Sequence, residues 1–195
     1  QLLERWASDV GQVSAASAKG DVNVAVVGTG PAGLSCAYFL GRSRCAVTVF
    51  DPEDKPGGYL GQAPDRLPHM VLRREIDRLL ALSGTGIVLN HSLSKDASLE
   101  VSFALVVVDA TSYAADTPSS SAIADFLTSG QNRAPKRFIS ISAESAGAMK
   151  PSRVAHAIRL GRDTAEEALR RVAPHRTILG LSSLSEMTSP DVMRE

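Results

Sequence analysis

One segment constrains this chain more than any other. Val24-Ala25-Val26-Val27 is a short, uninterrupted apolar run, as expected of a parallel strand buried on both faces. It leads straight into Gly28-Thr29-Gly30-Pro31-Ala32-Gly33, and Leu34 to Leu40 is apolar enough for a packed helix. A second strand, Ala46-Val47-Thr48-Val49-Phe50, ends at Asp51. Together these pieces make a βαβ unit with a glycine-rich first turn.

Each residue of the turn has a physical use. Gly28 permits the tight turn, Gly30 lets backbone approach a pyrophosphate, and Gly33 lets helix and strand pack closely. Pro31 falls in the first helical turn, where a missing N–H costs nothing. The amides around Ala32 and the positive end of the helix dipole then face two phosphates. Asp51, 23 residues after Gly28, stands where a carboxylate can accept from both ribose hydroxyls and repel a 2′-phosphate. The alternative is a tight βα turn that holds no ligand. FAD and NAD share the ADP half, so the turn alone does not choose between them.

The rest of the chain fits the same architecture. Val71, Leu72, Ile76, Leu79 and Leu80 predict an amphipathic helix over 69–82. Short apolar strands are expected at 86–89, 104–108 and 138–141. Between the last two, a Ser-rich break at 117–121 precedes a short helix with Ile123, Phe126 and Leu127. Ser152 is suited to cap a long helix whose inner face is Val154, Ile158, Ala165, Leu169 and Val172. Strands alternating with helices predict an α/β fold, Rossmann-like, with a mostly parallel sheet. Before it, Leu2, Leu3, Trp6 and Val10 form one apolar helical stripe, and residues 11–22 read as a linker. Residues 1–22 are thus expected to be a docking helix with its linker, 23–173 the domain, and 174–195 a tail.

Charge and cysteine content exclude several classes. The 21 basic and 21 acidic residues cancel, which argues against coating nucleic acid or an anionic membrane. No run approaches the ~20 apolar residues of a transmembrane helix. Cys36 and Cys45 are too few for a disulfide framework, a four-thiolate zinc site or an iron–sulfur cluster, and both are expected to be structural. His69, His91 and His175 lack metal-ligand spacing, and His156 lies off the apolar stripe of its helix. Residues 150–180 hold seven basic and three acidic residues, a net +4, which suits a solvated face or an acidic partner. The chain opens on Gln1 rather than Met, so a trimmed or processed N-terminus is expected, with a mitochondrial or cytoplasmic location.

Taken in combination, four segments resemble a known family. They are 24–35, Val47 to Asp51, Lys55-Pro56-Gly57-Gly58 with Arg66-Leu67-Pro68, and Pro151 to Ile158 followed by Gly161-Arg162. These resemble the FAD-binding half of the glutamate synthase small subunit and of dihydropyrimidine dehydrogenase, flavoproteins of the pyridine nucleotide-disulfide oxidoreductase type. The resemblance implies FAD at Gly28, Gly30, Pro31, Ala32, Gly33 and Asp51, with Gly57, Gly58 and Ala110 farther along. It also implies a helix start at Ser152, Arg153 and Val154 that faces the flavin. Residues 1–10 resemble the helix that joins this family's iron–sulfur region to its flavin domain.

The chain also departs from the family. The NAD(P)H domain that the family inserts is replaced by about two dozen residues over 112–137, fewer than the roughly 30 of a single βαβ unit. The family's Ala-Thr-Gly turn reads Ala110-Thr111-Ser112, and its Gly-Asp pair has only Ala143-Glu144 as a counterpart. Two functions are expected from this pattern. One is an FAD-binding subunit of a larger redox or mitochondrial complex, without its own NAD(P)H domain. The other is a non-catalytic structural or assembly subunit derived from a flavin oxidoreductase. Both imply protein partners and no independent NAD(P)H oxidation, and a complete stand-alone oxidoreductase is the third alternative.

Overall fold

A computed structural model describes residues 20–61, 68–93, 98–115, 117–142, 153–176 and 178. The expected docking helix over 1–10, Glu144, Ser152 and most of the tail lie outside the described residues.

The first βαβ unit folds as its sequence predicts. Strand β1 (Asn23–Val27) leads into helix α1 (Pro31–Arg42) and strand β2 (Ala46–Phe50). Helix α2 (His69–Ser83), strand β3 (Gly86–Val88), helix α3 (Ser98–Ser102), strand β4 (Leu105–Asp109), helix α4 (Pro118–Arg133), strand β5 (Phe138–Ile141) and helix α5 (Arg153–Val172) come next. The five strands form one sheet, every pairing parallel, in the order β3-β2-β1-β4-β5. Chain order reverses at β1, between β2 and β4, and in open sheets of this kind ligands bind in the crevice above that switch point.

Alternating residues of the central strands feed two cores. Val24, Val26, Val49 and Val107 pack under α1, α2 and α5, while Ala25, Val27, Val106 and Val108 pack under α3 and α4. Glu100 of α3, buried, takes a bidentate bond from Arg133 at the end of α4 and fastens the two helices together.

Two helices differ from their sequence pattern. Helix α4 takes in the Ser-rich stretch and starts at Pro118, because Thr117 caps it by accepting from the Ser120 amide at 3.1 Å. The inner face of α5 keeps the predicted Ala165 and Leu169 but departs from the predicted stripe in its first turns. Ala157, Gly161, Ala165 and Ala168 are buried with Leu169, whereas Val154 and Ile158 are 40% and 46% exposed. Close approach of α1 is the reason. A Cβ on Gly161 would stand 2.1 Å from the Ala32 carbonyl oxygen, and the Ser35 hydroxyl donates across the contact to the Ile158 carbonyl at 2.8 Å. Small residues admit that contact where branched ones would hold the helices apart.

Gly161→Ala is therefore expected to cost about 1–3 kcal/mol through overpacking against rigid backbone. That corresponds to a fall in Tm of roughly 2–4 °C for each kcal/mol, checked by thermal unfolding followed by circular dichroism.

Candidate functional site

The carboxyl ends of β1, β2 and β4 bring the glycine turn, Asp51 and the turn after β4 together. Gly28 has φ +102, a conformation that side chains rarely adopt, and its amide donates to the Phe50 carbonyl at 2.8 Å. Gly30 caps α1 with its backbone alone, Pro31 opens the helix, and Ala32 and Gly33 are buried in its first turn.

The amides at this helix end are turned to the chain's own groups. The Gly33 amide donates to Asp109 Oδ2 at 2.8 Å, and the Gly30 amide donates to Ser112 Oγ at 3.0 Å. Asp109 Oδ1 accepts from the amide and hydroxyl of Thr111 at 2.9 and 2.6 Å. The Asp109 carboxylate is fully buried and stands against the positive end of the α1 dipole. Burial pushes its carboxyl above the usual carboxylate range, against the hydrogen bonds from Thr111, Gly33 and Ser112 that pull it down.

Asp51, immediately after β2, is likewise fully buried. Its Oδ2 accepts from the Thr29 amide at 2.7 Å and the Thr29 hydroxyl at 2.6 Å. Its Oδ1 accepts from the Glu53 amide at 2.9 Å and the Tyr113 hydroxyl at 2.5 Å. A carboxylate offers about four acceptor positions, and these four donors take them. Thr29 Oγ1 also accepts from the Gly57 amide at 3.0 Å, which ties the Gly57–Gly58 loop to the glycine turn. Tyr113 is buried beside Asp51; desolvation first, then the Asp51 charge, holds its phenol well above the ordinary tyrosine value.

The other expected site residues are spread more widely. Gly57 and Gly58 have positive φ values of 117 and 53, and the amide of the next residue, Tyr59, donates to the Ser112 carbonyl at 2.7 Å. Ala110 binds β5 through its amide, which donates to the Ile141 carbonyl at 3.0 Å. Arg153 starts α5, and Val154 beside it points outward. The structure thus gathers Gly28, Gly30, Gly33, Asp51, Gly57 and Gly58 at one place, together with Thr29, Asp109, Ser112 and Tyr113. Sequence reading passed over Asp109 and Tyr113. Their signal was an acid closing an all-apolar strand and an aromatic three residues after the Ala-Thr pair begins. Cys36 and Cys45 are both buried and free, and burial raises the Cys36 thiol, as does the nearby Asp109 charge. Among the described residues, no group of three or more His, Cys, Asp or Glu is placed to hold a metal ion. No helix among them is long and apolar enough to cross a membrane.

The parallel sheet, the switch point at β1 and the glycine turn define a Rossmann-type dinucleotide-binding fold. Residues 26–77 match the family described as NAD(P)-binding Rossmann-like domain. The chain is 41% identical over 81 residues to the NADPH-Fe(3+) oxidoreductase subunit beta of Geobacter sulfurreducens, covering 40% of this chain and 12% of that protein. Over 79 residues, 40% of this chain, it is 39% identical to glutamate synthase (NADH) of Saccharomyces cerevisiae, covering 4% of that protein. Over 79 residues it is also 39% identical to the NAD-dependent dihydropyrimidine dehydrogenase subunit PreT of Escherichia coli O157:H7, covering 40% of this chain and 19% of that protein. The chain therefore spans less than a fifth of these relatives, and the resemblance read from its motifs is borne out over that part. Among solved structures, THI4 of Thermovibrio ammonificans is similar with a TM-score of 0.49 at 12% identity, covering 87% of this chain and 95% of that one.

The residue types of a dinucleotide site are present, but the arrangement does not fit a bound dinucleotide. The Gly30 amide, at the glycine that admits a pyrophosphate, and the Asp51 carboxylate, which would hold ribose, are engaged within the chain, as is the Gly33 amide of the same helix end.

Asp109 makes stability depend on pH. Its folded pKa is raised, so its contribution to stability is complete below the unfolded value and is lost as pH rises through the folded one. Urea unfolding as a function of pH should show that decline in the wild type, and Asp109→Asn should flatten it.

Proposed function

We propose that this chain is an accessory, Rossmann-type subunit of a multi-component oxidoreductase and transfers no hydride of its own. The observation that carries this reading is the connection between β4 and β5. Apart from a short turn over 110–115, its described residues form helix α4 and one short 3-10 turn (Pro135–Arg137). Ile123 and Phe126 bury α4 directly on the sheet, against Val106, Val108 and Phe138. No described residue between those strands can present a nicotinamide to the crevice. Hydride transfer needs the reacting atoms held about 3–3.5 Å apart, which takes a second binding unit.

Two of the relatives are named as subunits, of an NADPH-Fe(3+) oxidoreductase and of a dihydropyrimidine dehydrogenase. A role beside redox partners extends that pattern to this chain, with other protein subunits as its partners. FAD is the dinucleotide to which the module is suited, since Asp51 disfavours a 2′-phosphate and Gly57-Gly58 resembles a flavin contact. A subunit that carries FAD is the second reading, favoured by the glycine backbone, in which Gly28 keeps its φ of +102. Holding FAD would require Tyr113 to leave Asp51 and Ser112 to leave Gly30. The geometry as folded favours the structural or assembly role.

The isolated chain should show no enzymatic oxidation of NADH or NADPH with a dye acceptor. Purified from its native source, it should travel in an assembly with at least one polypeptide that carries a flavin or iron–sulfur chromophore. Robust turnover by the chain alone, or a free monomer in the native extract, would contradict the proposal.

A further inference from the structure

We infer that the turn after β4 is the crevice's own occupant: Asp109, Ser112 and Tyr113 together exclude a dinucleotide from the folded chain until that turn moves. This inference rests on reading the domain as a dinucleotide-type module, and it identifies what fills the site.

Three independent contacts converge on it. A phosphate at a helix N-terminus is held by amides, and here a buried carboxylate and a hydroxyl take two of them, at Gly33 and Gly30. A ribose is held by the carboxylate after β2, and here the Tyr113 hydroxyl completes the set of donors on Asp51. To reach Asp51 from β4, the chain crosses the end of β1, which lies between β4 and β2 in the sheet. That is the path a dinucleotide would take over the switch point.

The third contact is steric. The space that the glycines leave open for a ligand is filled by Ser112. A Cβ on Gly28 would stand 2.3 Å from Ser112 Oγ, one on Gly30 2.7 Å from Ser112 Cα, and one on Gly58 2.2 Å from the Ser112 carbonyl oxygen. The Tyr59 amide fixes that carbonyl at 2.7 Å. A pyrophosphate brought to α1 would also meet Asp109, whose Oδ2 already holds the Gly33 amide at 2.8 Å.

The resemblance points to how the turn could be opened. The family has glycine where this chain has Ser112. Among the described residues, Tyr113 also contributes the one side-chain hydroxyl outside the glycine turn that binds Asp51. Ser112→Gly with Tyr113→Ala removes two of the three groups, the hydroxyls on Gly30 and Asp51, and leaves Asp109, Gly28, Gly30, Gly33 and Asp51 in place. Affinity for a ligand that needs the open state falls by the fraction of chains that are open. A hydrogen bond to a charged acceptor holds the closed state by about tenfold to a hundredfold, so the double substitution should gain at least that factor.

The test is calorimetric titration of the full chain with FAD and, separately, with ADP. The wild type should bind both no tighter than millimolar, and the double variant should bind both at least about tenfold more tightly. FAD that copurifies with the wild type or binds it at micromolar concentration would overturn the inference. So would a folded double variant that binds no better than the wild type. Tyr113→Phe, which keeps the packed ring and deletes only the hydroxyl, decides the matter if the double variant does not fold: it should improve ADP binding severalfold, and no gain would overturn the inference. FAD binding without NAD(P)H turnover would refute this inference alone, whereas turnover by the isolated chain would refute the proposed function.

Discussion

A carboxylate buried at the end of a parallel sheet has to be saturated with donors, and Asp51 draws its donors from three separate stretches of the chain. Thr29 supplies two from the glycine turn, Glu53 one from the loop after β2, and Tyr113 one from beyond β4. Leaving such a charge short of a partner would cost several kcal/mol, so the three stretches are held together. Thr29 passes the constraint on by accepting from the Gly57 amide. Asp109 repeats the pattern one strand over, where its carboxylate joins β4 to the first turn of α1. The top of the sheet is therefore closed by two buried acids rather than by apolar packing.

Both acids could serve either a ligand or the chain itself, and the difference lies in the residues that leave β4. With Ser112 and Tyr113, and then a helix that starts at Pro118, the chain turns back over β1.

Much of the fold was legible because its signals are local. The glycine turn between two apolar runs, the period of α2 and the short strands each carry their own pattern. The first turns of the α5 inner face did not, because hydropathy favours Val154 and Ile158 while the packing against α1 selects Ala157 and Gly161 for their size. The start of α4 was hidden by three consecutive serines that looked like a break, although Thr117-Pro118 is a cap and first-turn pair. At the site, Gly28, Gly30, Gly33 and Asp51 were legible as a group. Their partners Asp109 and Tyr113 were not, since they lie 76 residues from Gly33 and 62 from Asp51. Only the reversal of strand order brings them back.

The central claim is that the glycine turn's amides are bonded inside the chain rather than open to a ligand. Native-state amide hydrogen exchange at Gly30 and Gly33, measured without added nucleotide, tests it most directly. Both amides are expected to exchange as slowly as those of Ala25 to Val27 in β1, through global opening. Exchange of Gly30 and Gly33 near the free-peptide rate, while β1 stays protected, would contradict it.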